Sequence, residues 1–352
     1  MKKGRLILGS TMLISLLTAC GGADTPGGEE TVQNSRTTHQ GISWKGEAKG
    51  VKLEDTDQKI ETTLTLDDEG IIKDVRMDFL TLKDGEWLAR NNPEAEVSID
   101  FSVDPQAAVP GSEYKKGVSM FDIKTNDMMS FYALGVDGDG TVALAIVDAV
   151  IRYKLEAKLE PGFDFDSKVG ELTINNGIVP TVRTSRSGLV KPEEWTEVEG
   201  RNIFDLHIFN HVISDYGVLE GIDETSTVGE MLTAMGVEFQ DGAPVQMDPT
   251  HGFHSSGGWK GNYDSIAEYL KGKNANEVTS LIDWSVPRYA KGINEDNAFG
   301  MDSKAGATRT AQDSFDSIAG STVRMSRENT SYQAALVDAG IISEEEVIKG
   351  RF

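Results

Sequence analysis

The chain has 352 residues, with 57 acidic against 34 basic side chains and a formal charge of −23. A field of that sign repels the phosphates a nucleic-acid binder must neutralise. Hydrophobic residues make up 38% of the chain, including 13 Phe, 8 Tyr and 5 Trp, which is too much apolar mass for a disordered acidic tail. The length suits two domains, and 37 Gly against 10 Pro favour many turns between short strands, so the expected class is β-rich α+β.

At the start, Lys2, Lys3 and Arg5 precede an apolar run from Leu6 to Leu17, then Thr18-Ala19-Cys20. The run is too short for a mature membrane-spanning helix and has the layout of an export signal over residues 1–19. A small-residue pair directly before Cys resembles the lipobox of bacterial lipoproteins. That resemblance implies a diacylglycerol on Cys20 and a lipid-anchored place on the outer face of a cell membrane; an ordinary cleaved secretion signal is the plainer alternative. Cys20 is the single cysteine, so no disulfide forms within the chain and no thiolate is left for metal or redox work. From Cys20 to about residue 40 the composition is polar, without apolar periodicity, and reads as a flexible tether.

Beyond the tether the sequence contains internal matches. Leu64 to Arg76 resembles Leu172 to Arg183, with Gly70 aligned to Gly177. Both copies read as strand, Gly-containing turn and strand. Pro180 places the second copy's return strand at an edge. Tyr114-Lys-Lys-Gly117 recurs as Tyr289-Ala-Lys-Gly292, and Ala145-Ile-Val-Asp-Ala-Val-Ile151 as Ala335-Leu-Val-Asp-Ala-Gly-Ile341. Three collinear matches suggest two related domains, 41–153 and 154–352, the second with an insertion at about 200–291. Chance likeness between β-hairpins is the other reading.

Within the insertion, His207 and His211 share a face if helical, and His251 and His254 follow, but Ile208 stands where an H-E-x-x-H protease needs its glutamate. Capping or surface roles suit these histidines better than zinc. Asp137-Gly-Asp-Gly-Thr141 begins like a calcium loop, yet Asp148 takes the place of the bidentate Glu, so a hairpin turn is expected. Trp259, Tyr263, Tyr269, Trp284 and Tyr289 suit either a core or the walls of a planar ligand site.

Near the C-terminus, Asp302-Ser-Lys-Ala-Gly-Ala-Thr308 is followed by Asp316-Ser-Ile-Ala-Gly-Ser-Thr322. Each is Asp-x-x-Ala-Gly-small-Thr. These strings resemble the flavinylation site of the FMN-binding domain family, in which a flavin transferase joins the threonine oxygen to the FMN phosphate. The strands expected at Trp44–Gly50 and Ile60–Met77, and a helix capped by Thr330, are similar to that family's frame. The resemblance implies covalent FMN on Thr322, with Asp316, Ala319, Gly320 and Ser321 shaping the turn and Ile318 and Val323 as apolar flanks. Thr308, with Lys304 in the apolar slot, is the second choice. A small, permissive turn is what a transferase needs to reach a hydroxyl, and Arg324 or Arg327 is placed to ease the phosphate charge.

The first domain lacks such a string, so the expectation is one flavin, with domain one a degenerate copy. Lipobox, tether and paired domains together resemble the FMN-carrying lipoproteins of Gram-positive flavin-based extracellular electron transfer, one of which also yields a peptide pheromone from its signal. That resemblance implies an electron carrier, with at most ferric reductase activity, taking electrons from a membrane quinol-oxidising complex to extracellular acceptors such as ferric iron. A solute-binding or adhesion lipoprotein without a redox cofactor is the alternative.

Overall fold

The computed structural model describes residues 35–109, 115, 117–147, 153–182, 195–206, 210–283, 318–321, 323 and 325–349. Cys20, Thr308, Asp316 and Thr322 lie outside these residues, as does the match between 114–117 and 289–292 in most of its positions. The strands are β1 (Arg36–Trp44), β2 (Gln58–Asp67), β3 (Ile72–Lys83), β4 (Glu86–Ala89), β5 (Ala95–Ile99), β6 (Phe121–Thr125), β7 (Phe131–Val136), β8 (Val142–Val147), β9 (Tyr153–Leu159), β10 (Thr173–Ile174), β11 (Gly177–Val182), β12 (Phe239–Gln240), β13 (Ala243–Pro244) and β14 (Met247–Phe253). The helices are α1 (Ile203–Leu206), α2 (Asn210–Asp215), α3 (Val228–Ala234), α4 (Gly258–Leu270) and α5 (Met325–Asp338). Strand exceeds helix, in agreement with a β-rich α+β class. Among the described residues no helix is long and apolar enough to cross a membrane.

The first sheet is an antiparallel meander in the order β1-β2-β3-β4. Alternation builds it: Ile60, Thr62, Leu64 and Leu66 of β2 are buried while the residues between them are more exposed, the period-2 pattern of a strand with one face on a core. Asp67 turns the chain into β3 by accepting the N–H groups of Glu69 and Ile71 at 3.0 and 2.9 Å, and Gly70 supplies φ 77, the left-handed position that a side chain resists. Helix α5 lies across the inner face. Thr62 and Ser331 hydroxyls meet at 2.7 Å, and Ser43 Oγ donates to Arg327 O at 2.9 Å.

Sheet and helix come so close at Gly41 that a Cβ there would stand 2.1 Å from Ser331 O and 2.2 Å from Ala335 N. Both are backbone atoms and cannot turn aside. Gly41→Val is therefore expected to cost about 3 kcal/mol or more, by forcing α5 off the sheet. The check is the urea midpoint, with Gly138→Ala as a control, since a Cβ there would meet only Gln246 Oε1 at 4.0 Å and the backbone is not in the left-handed region.

The second sheet runs β10-β11-β9-β8-β7-β14. Every residue of β7 and β8 is buried, because both faces are covered. Leu134, Val136, Val142, Leu144 and Ile146 face a core shared with Phe204, Ile213, Met231 and Leu232. Ala133, Ala143, Ala145 and Val147 face the β5–β6 hairpin. The small side chains on that face let the hairpin approach, and a Cβ on Gly135 would meet Ile99 Cδ1 at 2.8 Å.

The expected boundary between Tyr153 and Lys154 cuts β9 after its first residue, and β9 is paired antiparallel with β8 in one sheet. From Ser35 on, the chain forms one compact unit. Within it, β2 and β3 share their core with Trp259, Ile266, Ile318 and Leu336, so the two ends of the described chain close one core around the middle. The stretch 200–291 is likewise divided, with β14 on the second sheet and α4 on the first core.

The matches also part in structure. Leu64 to Arg76 is an antiparallel hairpin, whereas β11 pairs β9 and touches only the two-residue β10. Among the described residues no strand lies on the outer side of β11 beyond Ile178; Pro180 O instead accepts from Ala108 N at 2.9 Å. Ala145 to Val147 belongs to β8, and its match from Ala335 belongs to α5. The Asp137–Thr141 turn is the hairpin expected: Asp137 Oδ1 accepts from Asp139 N and Thr141 N, and Gly140 has φ 86.

Candidate functional site

Of the residues expected to shape the turn, Ala319, Gly320 and Ser321 are described. Ala319 is exposed and Ser321 buried. The apolar flanks Ile318 and Val323 are each 2% exposed and anchor the segment in the first core. Gly320 has φ 79, and a Cβ on it would stand 2.8 Å from Ser265 Oγ. Both the conformation and the space require glycine there.

Helix α4 holds this turn from outside it. Ser321 Oγ donates to Asn262 Oδ1 at 3.2 Å, and Ser265 Oγ shares its proton between Gly261 O at 2.9 Å and Gly320 O at 3.2 Å. Asn262 and Ser265 are three apart on one helical face. Neither was a sequence candidate. The signal that could have marked them is a polar pair set among Trp259, Tyr263 and Ile266 on an otherwise apolar face.

Beside the turn lies an open groove of about 520 Å³, lined by Tyr216, Gly217, Phe253, Ser256, Gly257 and Gly320 among others. Its floor is the start of α4, where Gly257 has φ 79 and gives no side-chain cap. The orphan amides are served by Asp127, a wholly buried residue whose Oδ2 accepts from Trp259 N at 2.7 Å and whose Oδ1 accepts from Met129 N at 3.0 Å. Burial pushes the Asp127 carboxyl up to about 7, against the backbone N–H groups of Met129, Trp259 and Lys260 and the charge of Arg90. Between about pH 4 and 7 the folded chain thus keeps a proton that the unfolded chain has lost. Stability is expected to fall as pH rises through that window, by at most about 4 kcal/mol, since the helix N-terminus favours the anion. Asp127→Asn is expected to flatten that slope, as read from denaturant midpoints at several pH values.

Behind the turn, four groups close a box in the same core. The Arg90 guanidinium lies 5.0 Å from the Phe79 ring centre and 4.9 Å from that of Trp259, and Arg327 lies 5.0 and 4.7 Å from the same rings. Arg327 Nε donates to Glu328 Oε1 at 2.8 Å, and the Tyr263 hydroxyl donates to the same oxygen at 3.3 Å. Burial raises the Glu328 carboxyl above its ordinary range, opposed by Arg327. Trp259 Nε1 and Glu328 Oε2 are buried without a hydrogen-bond partner. A buried polar atom left without a partner costs about 1–3 kcal/mol. Arg327, expected to ease a phosphate charge, is turned into this box; Arg324 is outside the described residues.

Other candidates are dispersed. His254 is fully buried with Nε2 3.2 Å from Val147 O, and His251 stacks on Phe131 at 5.4 Å. His207 and the His211 side chain are outside the described residues, among which no His, Cys, Asp and Glu group could hold a metal. Trp259 and Tyr263 are buried and Tyr269 is exposed; Trp284 and Tyr289 are outside the described residues. Thr330 is no cap. Helix α5 begins at Met325, and the Thr330 hydroxyl binds Ser326 O at 3.1 Å and Ile348 O at 2.7 Å, tying down the C-terminal segment instead.

The arrangement offers a small turn exposed at Ala319, a groove beside it and polar side chains that fix the turn, with no assembled nucleophile and base among the described residues. No family model, curated protein or solved structure matches the chain.

Proposed function

We propose that the mature chain is a lipid-anchored extracellular flavoprotein that carries covalent FMN and moves electrons from a membrane quinol-oxidising complex to acceptors outside the cell, ferric iron among them. The observation that carries this reading is the Asp-x-x-Ala-Gly-Ser-Thr string whose Gly320, in the left-handed conformation, stands at the rim of an open groove. Thr322 forms the phosphoester, with Thr308 as the second acceptor. Ala319, Gly320 and Ser321 present it to a flavin transferase, Asn262 and Ser265 keep the turn in place, and Cys20 bears the anchor. When bound, FMN supplies the redox chemistry that these side chains lack. The chain's own task is to hold the group at an accessible edge and stop it diffusing away.

The acidic body disfavours anionic partners and tolerates ferric cations.

The test is expression with a flavin transferase, followed by intact mass and visible absorption after denaturation and dialysis. The expected result is a yellow polypeptide heavier by about 440 Da. A colourless, unmodified polypeptide would favour the solute-binding or adhesion alternative.

A further inference from the structure

We infer that the groove between Tyr216 and Gly320 seats the planar ring system of the flavin, an inference that rests on the flavinylation reading above. Three distant segments build it: Tyr216 to Val218, Phe253 to Gly257 with Ser265 of α4, and Gly320. Its volume of about 520 Å³ lies inside the ~300–1,000 Å³ range of small-molecule sites. A larger groove of about 870 Å³, lined by Phe163, Phe165 and Glu230, shares no residue with the turn.

Glycine opens the floor. Gly217, Gly257 and Gly320 all have positive φ, at 84, 79 and 79, and a Cβ on Gly217 would stand 2.3 Å from Ser255 O. Replacing any of them would fill the groove or move its wall. The sides are aromatic. Tyr216 is 39% exposed, unusually open for a large side chain here, and Phe253 also lines the groove, so a flat ring could pack against both in offset or edge-on geometry. Polar recognition is available too. Ser256 lines the groove with its Oγ buried and without a hydrogen bond; rotation about Cα–Cβ would bring that hydroxyl to the carbonyl and N–H edge of a flavin's pyrimidine ring. Continuity names the occupant: Gly320 lines the groove and stands two residues before Thr322, so a ring tethered there has a short path into it. An open groove leaves one ring edge toward solvent, which electron exchange with an outside acceptor needs.

The test uses the mature chain labelled by a flavin transferase, with mass spectrometry fixing occupancy and flavin fluorescence and iodide quenching as readouts. Tyr216 in contact with the ring quenches its emission, so Tyr216→Ala is expected to raise fluorescence several-fold at equal label. Tyr216→Trp is expected to keep it low. Ser256→Trp, which fills the groove, is expected to expel the ring and raise iodide quenching. Tyr269→Ala, an exposed aromatic on α4 outside the groove lining, is expected to change neither. Full labelling with unchanged fluorescence and iodide access in both Tyr216→Ala and Ser256→Trp would overturn the seat while leaving flavinylation standing. Absence of label by mass in the unmutated chain would overturn the flavinylation reading and this inference with it.

Discussion

Thr322→Ala is expected to abolish the flavin label when the chain is expressed with a flavin transferase, with the mass increment of about 440 Da and the yellow colour lost together. The threonine oxygen is the atom bonded to phosphorus in the proposed phosphoester, so no other change at that position is needed to remove the group. Thr308→Ala is expected to leave the label in place. The contrast follows from the flanks. Ile318 and Val323 bury their side chains in the first core, pinning the chain on both sides of the acceptor, while the other string has Lys304 where Ile318 stands. A label that survives Thr322→Ala and vanishes in Thr308→Ala would reverse the assignment. Unchanged denaturant midpoints in both variants would confirm that the loss is chemical.

The largest stability effect is expected at Glu156. Glu156 is wholly buried on β9 and Lys154 is 2% exposed, on the same face two residues before it. Glu156 Oε1 accepts from Ser119 Oγ and Thr181 Oγ1, each at 2.5 Å, and Oε2 accepts from Met120 N at 3.0 Å. Lys154 Nζ donates to Ser119 Oγ at 2.6 Å and Phe121 O at 3.1 Å, and stands 3.4 Å from Glu156 Oε1. The group is closed, and its worth lies in its completeness. Glu156→Ala strips the counter-charge from a buried ammonium and is expected to cost about 3–5 kcal/mol, whereas Lys154→Met with Glu156→Leu is expected to cost far less, since neither charge is then buried alone. Burial already lowers the Lys154 ammonium below its ordinary value, with Glu156 and Asp122 opposing. Without Glu156 the folded chain binds fewer protons at that lysine than the unfolded chain, so the deficit is expected to shrink as pH rises toward the ordinary lysine range. Urea midpoints at pH 7 and 9 check both the size and the sign.

Local chemistry was legible in advance. The alternating Leu64, Leu66 and Val75 and the Asp137–Thr141 turn are set by neighbours a few residues away, and strand period and turn residues report them. The match between Ala145–Ile151 and Ala335–Ile341 shows the limit. Short apolar runs fit either period, and Ala145–Val147 became part of a strand between two others while Ala335–Val337 became part of a helix lying on a sheet, because packing partners decided. Thr330 shows it again: the hydroxyl looked like a cap but is satisfied by Ser326 O and Ile348 O.

The domain division was illegible for a related reason. Antiparallel neighbours at β8 and β9 are close in sequence, but the contact of Ile71 with Asn274 and of Gly41 with Ala335 spans most of the chain. Sequence alone determined the charge, the single cysteine and the Asp-x-x-Ala-Gly-small-Thr strings, since each is a property of residue types or of adjacent residues. Tertiary structure alone decided that Asn262 and Ser265 hold the turn and that Tyr216, Phe253 and Ser256 form a groove beside Gly320. Those segments meet only when two cores pack, and no local pattern carries that distance.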